Sequence, residues 1–481
     1  MLGTAAAISD KAGKDAAGET EQLANFLAPI RFADLPAEAI DAAKIFVLDL
    51  IGCALGARRT DEVRIAADVT RDLGGKPECS VLGFDFRTSC QNAAYLNGII
   101  SHVIELDDTH RSSITHVGSA VIPAALAIAE RDGIDGATFL ASVVVGYEAC
   151  LRVANAVQPS HWRRGFLSMG TCGTFGAAAA AAHLRGLDAT RLRDAFGLSG
   201  IQAAGLNSSI YGEGDMGKRL CPGHAASTGL MSVLYAERGF TGSRNVFEQR
   251  KGFCDSFAND YDLSRITADL GEVWEINRTS LKPYSCCRYN HASIDALLDI
   301  MKNESVSFSD ISGVRVRTYD IAVTNRPHRT HPKTLFDAQM SIPFSLAVVA
   351  LRGAAGQSDF TEDLINDGAL QSFAQKVVVE ADPQMTVAFP REWPAETQVE
   401  LKDGRKFVRH VPHPKGEPEA PMSRAEIEAK FRELADMAID RAAADRVIDA
   451  VWDLERHKDL GRVLGAVASG LRERPINGGA A

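Results

Sequence analysis

From Glu21 to about Phe240 apolar residues recur every three or four positions, whereas after about Arg278 short stretches alternate apolar and polar residues instead. This change of period constrains the fold most. A period near 3.6 fits a helix with one buried face, and a period of two fits a half-exposed strand. Residues 36–55 show the first pattern: Ala39, Ile40, Ala43, Phe46, Val47 and Leu50 fall on one stripe, with Pro36 suited to the first turn. Further helices are expected at 92–105, 119–130, 136–156, 172–183, 189–204 and 224–237, broken at Gly74-Gly75, Arg131-Asp132-Gly133 and Arg185-Gly186-Leu187-Asp188. Small residues crowd several of them, which predicts close helix packing.

The second pattern predicts strands at 313–318 and 377–380, and a hairpin of 397–401 and 406–410 about the turn signal Asp403-Gly404. Helices at 293–302 and 341–352 are interspersed. Ser423-Arg424-Ala425-Glu426 is a capping box, so the chain returns to helix there. The expected fold is mainly α: a large helical bundle domain at residues 21–277 and 422–470, with an inserted smaller α+β domain at 278–421. Two domains suit 481 residues. Residues 1–20 read as a disordered tail.

A net charge of -10 without any long Lys/Arg run argues against nucleic acid or an anionic membrane as partner, and leaves room for a local cationic pocket. Nine cysteines without a C-x-x-C pair point to free thiols and a reducing, cytoplasmic setting, with adjacent Cys286 and Cys287 the pair of interest. No charge-free apolar stretch of about 18 residues occurs, so no membrane span is expected.

Three polar constellations stand out. The first is Glu105-Leu106-Asp107-Asp108-Thr109-His110, followed by Ser112, Ser113, Thr115 and His116. Its crowded carboxylates invite a perturbed pKa and a general base; a solvated loop capping a helix at Ser119 is the other reading. The second runs from Gly212-Glu213-Gly214-Asp215 through Lys218-Arg219 to His224 and suits an anion, or is a plain flexible loop. The third, Lys282-Pro283-Tyr284-Ser285-Cys286-Cys287-Arg288-Tyr289-Asn290-His291, lies at the expected domain junction, where ligand clefts are common; Lys282 as a surface charge and His291 as a helix-end residue are the alternative. Gly170 to Gly176 reads as helix packing rather than a phosphate loop. His328 and His331, among Arg326, Arg329 and Lys333, read as a solvated basic loop and not a metal site.

With these segments in order, together with 170–182 and Arg238-Gly239-Phe240-Thr241-Gly242, the chain resembles the MmgE/PrpD (2-methylcitrate dehydratase) family over residues 23–462. The resemblance implies a helical bundle with an α+β lid, a homodimer, a basic cleft between the domains, and no metal or organic cofactor. Family activities include dehydration of 2-methylcitrate, decarboxylation of cis-aconitate and epimerisation of iminodisuccinate. Carried over residue by residue, it puts Glu105, Asp107, Asp108, Thr109 and His116 on the helical side, Lys218 nearby, and Lys282 and His291 at the lid. Asp107, Asp108 and His116 are then the acid-base candidates. Lys218, Arg219, Lys282 and Arg288 would hold carboxylates, with Tyr284 beside them and Cys287 as a weak acid or a space-filler.

Departures from the family pattern are Leu167 where many members have His, Cys287 and Phe344 where the decarboxylase has His and Tyr, and Glu105 for the usual Asp. They argue against decarboxylation of cis-aconitate. The expected function is a cofactor-independent lyase, a dehydratase or hydratase, that abstracts a proton alpha to a carboxylate of a small polycarboxylate. An isomerase or epimerase using the same abstraction, or a catalytically silent binding protein, remains the alternative.

Overall fold

The computed structural model describes residues 17–211, 216–324 and 330–472. Residues 212–215, which open the second constellation, and Arg326, His328 and Arg329 lie outside the described residues. Most of what is described is helical.

Helices Cys90–His102, Gly118–Asp132, Gly136–Val157, Gly173–Leu184 and Leu220–Glu237 pack against one another. Their small residues explain the close approach: a Cβ at Gly146 would lie 2.4 Å from Val121 Cγ1, and one at Gly176 would lie 2.7 Å from the Gly146 carbonyl oxygen. The Gly170–Gly176 run is thus spent on packing. Gly136–Val157 is long and apolar enough to cross a membrane, but 89% of its apolar window is buried in the molecule. Within it Arg152 and Glu148 pair at 2.8 Å.

One hydrophobic cluster runs from Leu23 to Leu281 and resumes from Ile427 to Val467. The resumption begins at Arg424–Ala435, whose Ser423/Glu426 capping box forms as expected and which packs on Ala37–Gly56. The second cluster spans Cys286 to Leu401 and takes in Trp162, Leu167 and Met169 from the helical part. Its sheet has the order Val377–Ala381, Ile311–Thr318, Ala395–Leu401, Lys406–Val411, with the first pair parallel and the rest antiparallel. Gly404 turns the hairpin at φ 88°. Helices His291–Asn303 and Ile342–Arg352 cover the sheet.

Two local expectations need correction. The tail expected through residue 20 ends sooner, because a helix spans Glu19–Leu27 and buried Thr20 accepts the Phe247 N–H at 3.2 Å. The helix expected to reach Glu105 stops at His102, and Glu105 adopts φ 55°. A left-handed non-glycine residue of this kind costs about 1–2 kcal/mol and persists only where its surroundings hold it.

Candidate active site

What holds Glu105 is a row of side chains on three successive carbonyls. The Ile104 carbonyl accepts from Ser285 Oγ at 2.9 Å and Gln339 Nε2 at 3.3 Å. The Glu105 carbonyl accepts from Lys282 Nζ at 2.6 Å, and the Leu106 carbonyl from Lys430 Nζ at 2.9 Å. Lys430 also donates to Asp49 at 2.5 Å. Burial opposes its charge, yet Asp49 more than compensates and raises the ammonium above its ordinary pKa. Four donors from three separate segments therefore fix the turn that leaves the Cys90–His102 helix.

The turn aims the Glu105 carboxylate at two ammonium groups. It pairs with Lys218, lies 3.8 Å from Lys282 and 3.7 Å from His102 Nε2, and is buried. Burial pushes the carboxyl up, but Lys218, His102 and Lys282 together hold it well below its usual range. Lys218 is lowered by burial, with the Lys282 charge adding to this and Glu105 opposing it.

His116 faces the same space. Its Nδ1 lies 2.8 Å from the Asp108 carbonyl oxygen, which can only accept, so Nδ1 carries the proton and the Nε2 lone pair is left over. Nε2 makes no hydrogen bond among the described residues. Burial pushes this imidazole well below 6.5, against the pull of Asp107. A neutral imidazole of fixed tautomer beside two ammonium groups is a proton acceptor next to a place for anions.

Asp107 stands behind this pair, 2.9 Å from His102 Nδ1 and 3.5 Å from His116 Nδ1. It is buried and orients the rings without lining the cleft. Asp108, expected among the acid-base groups, faces the other way. It accepts the Gly118 N–H at 3.0 Å and the Tyr147 hydroxyl at 2.6 Å. Burial and the Asp107 charge push it up to about 7. Asp108, and not Ser119, thus caps the Gly118–Asp132 helix, and Gly118 must be glycine-sized because a Cβ there would meet Tyr147 Oη at 2.7 Å.

The cleft lies between the two hydrophobic clusters and is narrow, with a cavity volume of about 60 Å³. Glu105, Thr109, His116, Lys218, Lys282, Cys287 and Arg288 line it. Arg288 is already engaged: it donates to Glu417 at 2.7 and 3.1 Å, to the Lys415 carbonyl at 3.0 Å and to His291 Nδ1 at 2.8 Å. Four of its five N–H groups are thus engaged, so it brings charge and one further donor to the cleft. His291 is buried behind it and does not line the cleft.

Arg219 and Tyr284 are also displaced from their expected roles. The Gly217–Arg219 turn is a 3₁₀ helix, so consecutive side chains point about 120° apart. Lys218 enters the cleft, while Arg219 lies 4.4 Å over the Phe336 ring and 3.7 Å from Glu62, lining another cavity. Tyr284 donates to Asp295 at 2.5 Å and likewise lines a different cavity. Phe344 is buried and does not line the cleft.

Sequence reasoning missed His102 as a site residue, although it ends a helix three residues before Glu105. It also missed the apolar side of the cleft, Ile114, Trp162, Met169, Tyr289 and Trp393, whose positions carry no local signal. His102, Asp107 and His116 offer ligand atoms within 4.8 Å of one another and so form a candidate metal group. Both Nδ1 atoms are already engaged, and the Lys218 and Lys282 charges oppose a further cation, so the residues present suit an anion better.

Comparison with known proteins agrees in order and extent. The chain is 29% identical to a cis-aconitate decarboxylase-like protein of Aspergillus oryzae over 474 residues, covering 94% of this chain and 98% of that one. It is 26% identical to a cis-aconitate decarboxylase of Aspergillus terreus, over 93% and 95% of the two chains. It is 25% identical to the human cis-aconitate decarboxylase, over 92% of each. Residues 21–266 match the MmgE/PrpD N-terminal domain and residues 284–454 the MmgE/PrpD C-terminal domain, so the chain belongs to the MmgE/PrpD family.

Proposed function

We propose that this chain is a cofactor-independent lyase that removes water from a small polycarboxylate, starting with abstraction of the proton alpha to one carboxylate. The observation that carries this reading is His116: neutral, its Nδ1 proton committed to a carbonyl, its Nε2 unbonded in a cleft shared with Lys218 and Lys282. In the proposed step Nε2 takes the alpha proton, and the electron pair moves into the carboxylate as an enediolate held by the two ammonium groups. The pair then returns to form the carbon–carbon double bond as the beta carbon–oxygen bond breaks. The hydroxyl leaves as water with a proton from Lys218, whose lowered pKa suits an acid.

The relatives' printed names favour a second reading, decarboxylation of a tricarboxylate. That reaction makes no use of the base that His116 provides; it needs only an acid to protonate the carbanion left by carbon dioxide, a role Lys218 can fill. Leu167 and Cys287 line the cleft where the family pattern offers imidazoles. Dehydration therefore remains the preferred reading. In the same proposal the chain is a cytoplasmic homodimer, and the α+β part, residues 278–421, moves as a lid over the bundle.

Incubating the protein with a polycarboxylate panel in deuterated water and weighing the products separates the outcomes. Loss of water supports the proposal. Loss of carbon dioxide supports the second reading, deuterium uptake without mass loss points to an epimerase, and no change in any acid of the panel refutes catalysis of this class.

A further inference from the structure

A second cavity, of about 600 Å³, backs onto the cleft through two pairs of chain neighbours: Ile104 and Arg219 line it, whereas Glu105 and Lys218 line the cleft. Arg219 is 4% exposed, and its Nε is buried without a hydrogen-bond partner among the described residues. The guanidinium lies 4.4 Å over the Phe336 ring, and Glu62 Oε1 is 3.7 Å from Nε, too far for a hydrogen bond. Phe336 and Glu62 both line the cavity, so the guanidinium is held in its wall. The first turn of the Asp61–Leu73 helix lines the same cavity. Thr60 caps that helix by accepting the Val63 N–H at 3.4 Å, which leaves the Asp61 and Glu62 amides without a partner inside the helix. Helix amides and a guanidinium fork together favour an oxyanion. Exposed Arg59 and Lys333 add positive charge, while Asp61 is taken up by Arg64 at 3.2 Å.

We propose that this cavity is a second ligand site, for a small polyhydroxylated phosphate monoester. Both oxygens of a carboxylate are used by the guanidinium fork, whereas the terminal oxygens of a phosphate monoester reach the helix amides as well. Its double charge above about pH 6 answers the cations around the cavity. The polyhydroxylated body follows from Gln357 and Asn366, which line the cavity with amide groups that both donate and accept. Glu62 competes with the phosphate for Arg219 and gives way when it binds. The site does not depend on the reaction proposed for the cleft.

Titration calorimetry of the full chain with glycerol 3-phosphate and with inorganic phosphate, at about pH 7.5 where the ester is doubly charged, tests it. The ester is expected to bind more tightly than inorganic phosphate. Arg219→Gln is expected to weaken the ester by about 10- to 100-fold, the value of hydrogen bonds to a charged partner. Glu62→Gln is expected to tighten it by about two- to fivefold, the value of a partly exposed ion pair. No measurable binding of the ester overturns the proposal, as does inorganic phosphate bound as tightly as the ester. Ester binding that survives Arg219→Gln overturns it too, and its loss in Lys218→Met would then place the phosphate in the cleft. If Arg219→Gln fails to fold, Glu62→Gln decides: unchanged or weaker binding in that variant refutes the site.

Discussion

Lys430 is the deepest test of how the site is held, because this one ammonium serves both Asp49 and the Leu106 carbonyl while touching no part of the cleft. Lys430→Met leaves the Asp49 carboxylate buried without its partner, and breaking a buried pair from one side costs about 3–5 kcal/mol. Burial already pushes the Asp49 carboxyl up, and Lys430 is the chief group opposing this. Without Lys430 the carboxyl rises further, so the folded variant keeps a proton that the unfolded chain releases above about pH 3.9. The folded state then binds more protons than the unfolded one, and stability falls as pH rises through that window. The melting deficit against wild type should be several degrees at pH 8 and smaller at pH 5. Asp49→Leu combined with Lys430→Met should recover most of it, since an apolar pair carries no desolvation cost. Freed at one of its three carbonyls, the Glu105 turn should also lower kcat in the single variant more than it raises KM. Thermal melts at the two pH values and steady-state kinetics read both effects. Equal deficits at pH 5 and pH 8, or a deficit undiminished in the double variant, would refute the reasoning.

Asp108→Asn should retain wild-type kcat, because Asp108 faces Gly118 and Tyr147. With a carboxyl pushed up to about 7, the wild type loses stability as pH rises from about 3.9 to that value, by at most about 1.4 kcal/mol per pH unit, and denaturant melts should show this slope reduced in the variant. Glu105→Gln removes the one carboxylate between Lys218 and Lys282, so calorimetry at pH 6 should find polycarboxylates bound more tightly, by about 1–3 kcal/mol at an effective dielectric near 20. The gain should fade as pH rises, because Lys218, already lowered, loses its partner. The expected homodimer is checked by light scattering: Ile201 is 84% exposed and Phe240 63%, and replacing both by Glu should shift the mass toward the monomer.

The fold was legible where burial imposes a period. Pro36 to Leu55, the Ser423 capping box and the Asp403-Gly404 hairpin each announce themselves within a few residues, because backbone hydrogen bonding and one apolar face decide them locally. The site was legible only as neighbourhoods. Glu105, Lys218 and Lys282 are 113 and 177 residues apart in the bonds that join them, and chemistry alone marked all three segments as polar and crowded. Within a segment, direction was not legible. Lys218 and Arg219 differ by one step on a tight turn and enter different cavities, and Asp107 and Asp108 serve a ring pair and a helix end. The apolar wall gave no warning, since Trp162, Tyr289 and Trp393 look like ordinary core residues until a fold brings them to one face.

The central claim is that a neutral His116 accepts the substrate proton. Its most direct test is the pH dependence of alpha-proton exchange into deuterated water, followed by nuclear magnetic resonance for the wild type and for His116→Gln. The account predicts that kcat/KM for exchange holds level through pH 6.5 and declines only well below it, and that the variant loses about 10²- to 10⁴-fold. Exchange in the variant at the wild-type rate, or a wild-type decline that begins at or above pH 6.5, would contradict it.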